Sequence, residues 1–185
     1  MRILLLLWLG TVTLFGYSYD RLLLEAEASV FPKLLLLSKH PETLTVEGKL
    51  RFFILYEEED WPAAEHLRQE MLQHYRRDES PYALDVRLLA FEAVDHIERA
   101  SALMALYSSE RYPDVVRRAK KLHIPSFVFD TAYLGEGFLF SLSIEHAVTV
   151  YLNASQLPGY GIAFSDALYQ IVRLYDAGQT SSVAF

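Results

Sequence analysis

Two rhythms of apolar residues alternate along this chain. From Tyr19 to Ser38 the apolar positions Leu23, Ala26, Val30, Leu34 and Leu37 recur at helical steps and make one face of a helix. Pro32 should kink or restart that helix, and His40, Pro41 and Glu42 should end it. Lys49 to Tyr56 reads KLRFFILY, a nearly continuous apolar run of the kind that forms a strand buried on both faces. Helical spacing returns over Ala63 to Arg77, with Asp60 as a cap, Pro62 in the first turn, and Ala64, Leu67, Met71 and Tyr75 facing inward. A second strand fits Leu84 to Phe91. Ala100 to Tyr107 has a helical composition, but a turn at Ser108-Ser109 and a helix over Tyr112 to Leu122 follow at once, so it reads as a short buried strand. Ile124 to Asp130 is the next strand.

This alternation predicts an α/β single domain with a mostly parallel sheet and helices on both faces. A strand order 2-1-3-4 would place the switch point, where open α/β sheets bind ligands, between the first and third strands. The tail changes character. Gly137 to Glu145 and Ala147 to Asn153 are strands joined around His146, close enough for a C-terminal antiparallel hairpin. Pro158, Gly159 and Gly161 mark a loop. Ser165 then caps a last helix with Ala167, Leu168, Ile171, Val172 and Tyr175 as its inner stripe.

Ahead of all this stands Met1 to Ser18, which reads as a secretion signal. Arg2 supplies the positive end, Ile3 to Phe15 the short apolar run, and Gly16 and Ser18 the small residues before a cut at Tyr19. The expectation is a periplasmic protein whose domain covers residues 19–178, with a disordered tail at 179–185. The chain has no cysteine, so disulfides, thiol catalysis and cysteine-ligated metal are excluded. A net charge of −7 argues against nucleic acid as partner.

Candidate chemistry gathers where the switch point should lie. Glu57 opens an acidic run, Glu57 to Asp60, at the end of the first strand. Ser108 and Ser109 hold the matching end of the third, and Asp130 and Thr131 that of the fourth. Glu57, Ser108, Ser109 and Thr131 are therefore the candidate ligand-binding residues, although turns and helix caps use the same residue types. His66, Glu70 and His74 share one helix face and could pair on Zn²⁺, but a solvated face reads equally well and no metal is expected. No Gly-x-Ser-x-Gly, phosphate loop or His-Glu-x-x-His motif is present, so neither an enzyme nor a cofactor is expected.

The tail GFLFSLSIEHAVTVYLNASQLPGYGIAFSDALYQIVRL resembles the C-terminal pattern of the YfiR-like family of small periplasmic regulatory proteins. A glycine opens a strand, a hairpin leads to an Asn-containing strand end, and a small-residue segment precedes a Ser-capped helix. Asn153, Ala154, Phe164, Ser165 and Leu168 occupy those positions. The N-terminal region departs from that pattern: Phe31-Pro32 stands where relatives carry a Trp-Pro pair, and the cysteine pairs of some relatives are missing. The resemblance implies a non-enzymatic protein that restrains an inner-membrane signalling enzyme, typically a diguanylate cyclase, by binding its periplasmic domain. Leu22 and Leu36, surplus to one buried stripe of the first helix, are the candidate partner contacts. A small-molecule binding component of the kind allied to ABC transport is the alternative. One such lobe would need a second, by dimerisation, to close on a small ligand.

Overall fold

The computed structural model describes residues 19–75 and 80–176. The leader expected over Met1 to Ser18 and the tail expected over Gln179 to Phe185 lie outside the described residues. The chain forms helix α1 (Arg21–Leu35), strand β1 (Lys49–Tyr56), helix α2 (Trp61–Tyr75), strand β2 (Ala83–Ala90) and strand β3 (Ala102–Ala105). Helix α3 (Tyr112–Leu122), strand β4 (Ser126–Val128), strands β5 (Phe140–Ile144) and β6 (Val148–Leu152) follow. Two short helices, α4 (Leu157–Tyr160) and α5 (Asp166–Ile171), and strand β7 (Val172–Leu174) complete it.

The strands make one 7-stranded sheet in the order β2-β1-β3-β4-β5-β6-β7. Strands β1 to β5 run parallel; β5 and β6 pair antiparallel, with Phe140 opposite Leu152 and Ile144 opposite Val148. The expected fold class and the switch between β1 and β3 are both present. Because α2 leads from β1 outward to β2 and α3 leads from β3 outward the other way, right-handed crossovers put the two helices on opposite faces. Helix α1 packs beside α2, and α3 beside α4.

Strand β3 shows why composition misleads at the centre of such a sheet. Ala-Leu-Met-Ala favours helix, yet all four residues are fully buried, with Phe52 and Leu103 in register beside Ala102 and Ser126. Layers on both faces decide the conformation over intrinsic preference. Across the sheet runs a file of rings: Phe31 against Phe127 at 4.6 Å, Phe127 against Phe140 at 5.2 Å, and Phe140 against Phe164 at 5.5 Å. Each buried ring contributes on the order of 1.5–3 kcal/mol.

Three expectations are corrected. In α1 the inward stripe is Leu24, Ala28, Phe31 and Leu35; of the residues expected there, only Leu34 is buried. Arg21, Glu25, Ser29 and Lys33 line one side of this helix and most of the rest is apolar, so more than one apolar stripe fits the spacing; the ring contact of Phe31 with Phe127 lies on the buried one. The helix also runs on through Pro32 to Leu35. At the other end, the last helix stops at Ile171, and Val172 to Leu174 pair as β7 with Val150 to Leu152. Tyr175 continues the ladder, donating its N–H to the Leu152 carbonyl at 2.8 Å. The open edge of β6 offers hydrogen bonds that an isolated helical turn cannot match. Ile171, expected inside, is 57% exposed.

Candidate functional site

Strand β1 delivers Glu57 and β3 delivers Ser108 to the same end of the sheet, on either side of the switch point. The Ser108 hydroxyl donates to Glu57 Oε1 at 2.5 Å. The structure thus brings these two residues together, while Ser109 stands exposed and Thr131 is half-buried one strand farther along.

Tyr19 packs at the same end of the sheet. Asp20 caps α1, its Oδ1 accepting from the Leu22 N–H at 2.9 Å, and so turns the preceding residue down over the strand ends. There the Tyr19 hydroxyl donates to Asp60 Oδ2 at 2.7 Å and accepts from the Tyr107 N–H at 3.0 Å. Its ring meets Phe129 edge-on, with centroids 4.9 Å apart. One side chain therefore ties the ends of β1, β3 and β4. Asp60, expected as a helix cap, is instead buried and spends its carboxylate on Tyr19. Burial raises the Asp60 carboxyl above its ordinary range, the charges of Glu59 and Glu57 add to this, and the Tyr19 bond opposes it. Burial likewise pushes the Tyr19 phenol well above its usual value. Tyr133, hydrogen-bonded to Tyr107, is pushed up to about 12.

Around this plug the surface is apolar. Leu22, at the start of α1, is 66% exposed and Trp61, at the start of α2, 51%. Ile144 and Val148, facing one another across the tip of the β5–β6 hairpin, stand out at the same end of the sheet. Leu36 is half-buried against the core, so only Leu22 of the two candidate contacts reaches well into solvent.

Beside the plug, under the first turns of α1, lies a cleft of about 250 Å³ between that helix and the ends of β4 and β5. Glu27, on α1, is buried with neither carboxyl oxygen hydrogen-bonded. Burial raises its carboxyl well above the ordinary range, and the neighbouring charge of Asp130 raises it further. A second cleft, of about 430 Å³, opens at the opposite end of the sheet among His40, Arg99, His123 and Gly161. On α2, His74 Nε2 lies 3.3 Å from Glu70 Oε2, and among the described residues no group of metal-ligating side chains converges.

Sequence reasoning missed Tyr19 and Glu27. Nothing in spacing announces Tyr19, whose partners lie 41 and 88 residues away. Glu27 carried a signal: it is a carboxylate in the same stripe as Leu24 and Phe31, visible once the correct helix face is chosen.

No model of a protein family matches the chain, and no curated protein matches it. Solved structures do. A conserved domain protein from Vibrio cholerae O1 biovar El Tor is 12% identical with a TM-score of 0.58, covering 83% of this chain and 60% of its own. The ABC domain in complex with L-Trp from Streptococcus pneumoniae is 10% identical with a TM-score of 0.57, covering 81% of this chain and 61% of its own. The chain thus spans about three-fifths of the length of these structures, and what it shares with them is the α/β fold.

Proposed function

We propose that this protein is a non-catalytic periplasmic module that restrains an inner-membrane signalling enzyme of the diguanylate cyclase type by direct contact. The observation that carries this reading is the plugged switch point. The Ser108 hydroxyl bonds Glu57 and the Tyr19 hydroxyl bonds Asp60, leaving little for a small ligand to take there. The same end of the sheet exposes Leu22, Trp61, Ile144 and Val148. Apolar side chains that include a tryptophan, bordered by the acidic run Glu57 to Glu59, suit a partner with an apolar centre and a basic rim. Deleting the gene should raise cellular cyclic-di-GMP, and a Leu22→Glu/Trp61→Glu variant that still folds should fail to restore the lower level. Full restoration by that variant would remove this face from the account.

The second reading is a small-molecule binding lobe. The L-Trp held by the similar pneumococcal domain and the cleft beside α1 support it.

A further inference from the structure

We propose that the switch point of the sheet is a binding site for a small phenol, and that Tyr19 occupies it as an internal ligand which an outside phenol displaces. This goes beyond the partner reading and does not depend on it.

The walls of the site are fixed by bonds that do not involve Tyr19. Asp60, 5% exposed, sits on the turn after β1, where its N–H donates to the Glu57 carbonyl at 2.9 Å. Phe129 is buried, and its N–H donates to the Ala105 carbonyl at 3.1 Å. The Leu106 N–H donates to the Leu55 carbonyl at 2.9 Å, which sets the chain that leads into Tyr107 beside β1. A carboxylate acceptor, a backbone donor and an aromatic wall thus converge on one hydroxyl-bearing ring. This is the place where open α/β sheets take their ligands. Tyr19 itself is half-buried and precedes α1, whose first turn Asp20 caps through the Leu22 N–H. Its ring can therefore swing out by rotation ahead of the cap, with the helix and the strand ends unchanged.

The two hydrogen bonds select the ligand. The Tyr19 hydroxyl donates to Asp60 Oδ2 and accepts from the Tyr107 N–H, so a replacement has to do both. A carboxylate has no proton to donate, and the acidic run Glu57 to Asp60 repels it. An ammonium has no lone pair to offer the Tyr107 N–H. A neutral hydroxyl satisfies both, and the edge-on contact with Phe129 favours one carried on an aromatic ring. The exchange is non-covalent: the incoming phenol makes the two bonds that Tyr19 gives up. Tyr19 competes from its own chain, so the incoming phenol works against an effective concentration on the order of millimolar.

The probes are phenol, benzene, which lacks the hydroxyl, and anisole, whose oxygen accepts but cannot donate. Each is titrated by calorimetry into the purified full chain at neutral pH. Tyr19→Ala vacates the site and should bind phenol with a Kd below about 3 mM, and benzene and anisole at least about tenfold more weakly. Wild type should bind phenol about tenfold more weakly than this variant, because Tyr19 competes. Displacement is read in wild type labelled with meta-fluorotyrosine, the Tyr19 fluorine resonance being assigned by its loss in Tyr19→Phe. That resonance should move toward the position of a solvent-exposed fluorotyrosine as phenol rises to about 30 mM, and stay in place with anisole. If Tyr19→Ala fails to fold, the fluorine titrations of wild type decide alone. No phenol binding by the folded variant, equal binding of benzene or anisole, equal phenol affinity in wild type and variant, or an unmoved Tyr19 resonance would each overturn the proposal. None of these outcomes touches the partner reading, which rests on Leu22 and Trp61.

Discussion

Tyr19→Phe removes one oxygen from the plug and leaves its ring in place. The ring contact with Phe129 at 4.9 Å survives, so the variant isolates two hydrogen bonds. The first, to Asp60 Oδ2 at 2.7 Å, ends on a carboxylate that is only 5% exposed. Hydrogen bonds to charged groups contribute on the order of 1.5–3 kcal/mol. The second, from the Tyr107 N–H at 3.0 Å, is a backbone donor in a half-buried setting, contributing about 0.5–1.5 kcal/mol. Water can reach part of this region and compensate, which places the expected loss near 2–3 kcal/mol. For a chain of this size that lowers the melting temperature by roughly 4–12 °C. The loss should depend on pH with a definite sign. The Tyr19 bond favours the ionised Asp60, so its contribution is present above the carboxyl range and fades as Asp60 is protonated in acid. Thermal unfolding of wild type and variant at pH 7 and near pH 4, followed by circular dichroism, gives both quantities. A variant as stable as wild type at pH 7, or a difference that grows in acid, would refute the plug.

Glu27→Met should stabilise the protein at pH 7 by about 1–3 kcal/mol, since it removes an unsatisfied buried carboxyl. The wild-type Glu27 carboxyl is raised on folding, so the folded state holds its proton more tightly than the unfolded chain. Stability must then fall as pH rises above the unfolded carboxyl range, by at most about 1.4 kcal/mol per pH unit, and the Met variant should lack that slope in urea unfolding. Gly161→Ala should destabilise by more than about 1 kcal/mol in the same assay. The backbone there has φ +66°, and the new Cβ would stand 2.9 Å from His123 Nδ1.

The parts of this fold legible in sequence are those where one physical rule acts alone. Helix α2 buries Ala64, Leu67, Met71 and Tyr75, the stripe its spacing predicts, because its other face is polar. Helix α3 also spans Tyr112–Leu122 as expected. Pattern reading fails where tertiary contacts choose among equals. Helix α1 offers more than one apolar stripe, and the Phe31 contact lies on the buried one. Val172 and Tyr175 fit a helical stripe, but the free edge of β6 claims them. At the site, topology placed Glu57 and Ser108 correctly at facing strand ends, because the switch point follows from strand order. The residue that closes it, Tyr19, comes from a segment joined to the site only by long-range contacts, and no local rule reaches it.

The central claim is contact between the plugged end of the sheet and a membrane-bound signalling enzyme. Photo-crosslinking in the native host tests it most directly, with a photoreactive residue placed at Leu22, at Trp61, or at Leu174. Leu174 is 58% exposed and ends β7, which runs toward the opposite end of the sheet. The account predicts an adduct from Leu22 and from Trp61 with an inner-membrane protein carrying a cyclase domain, and none from Leu174. Adducts of equal yield from all three positions, or none with any inner-membrane protein, would contradict it.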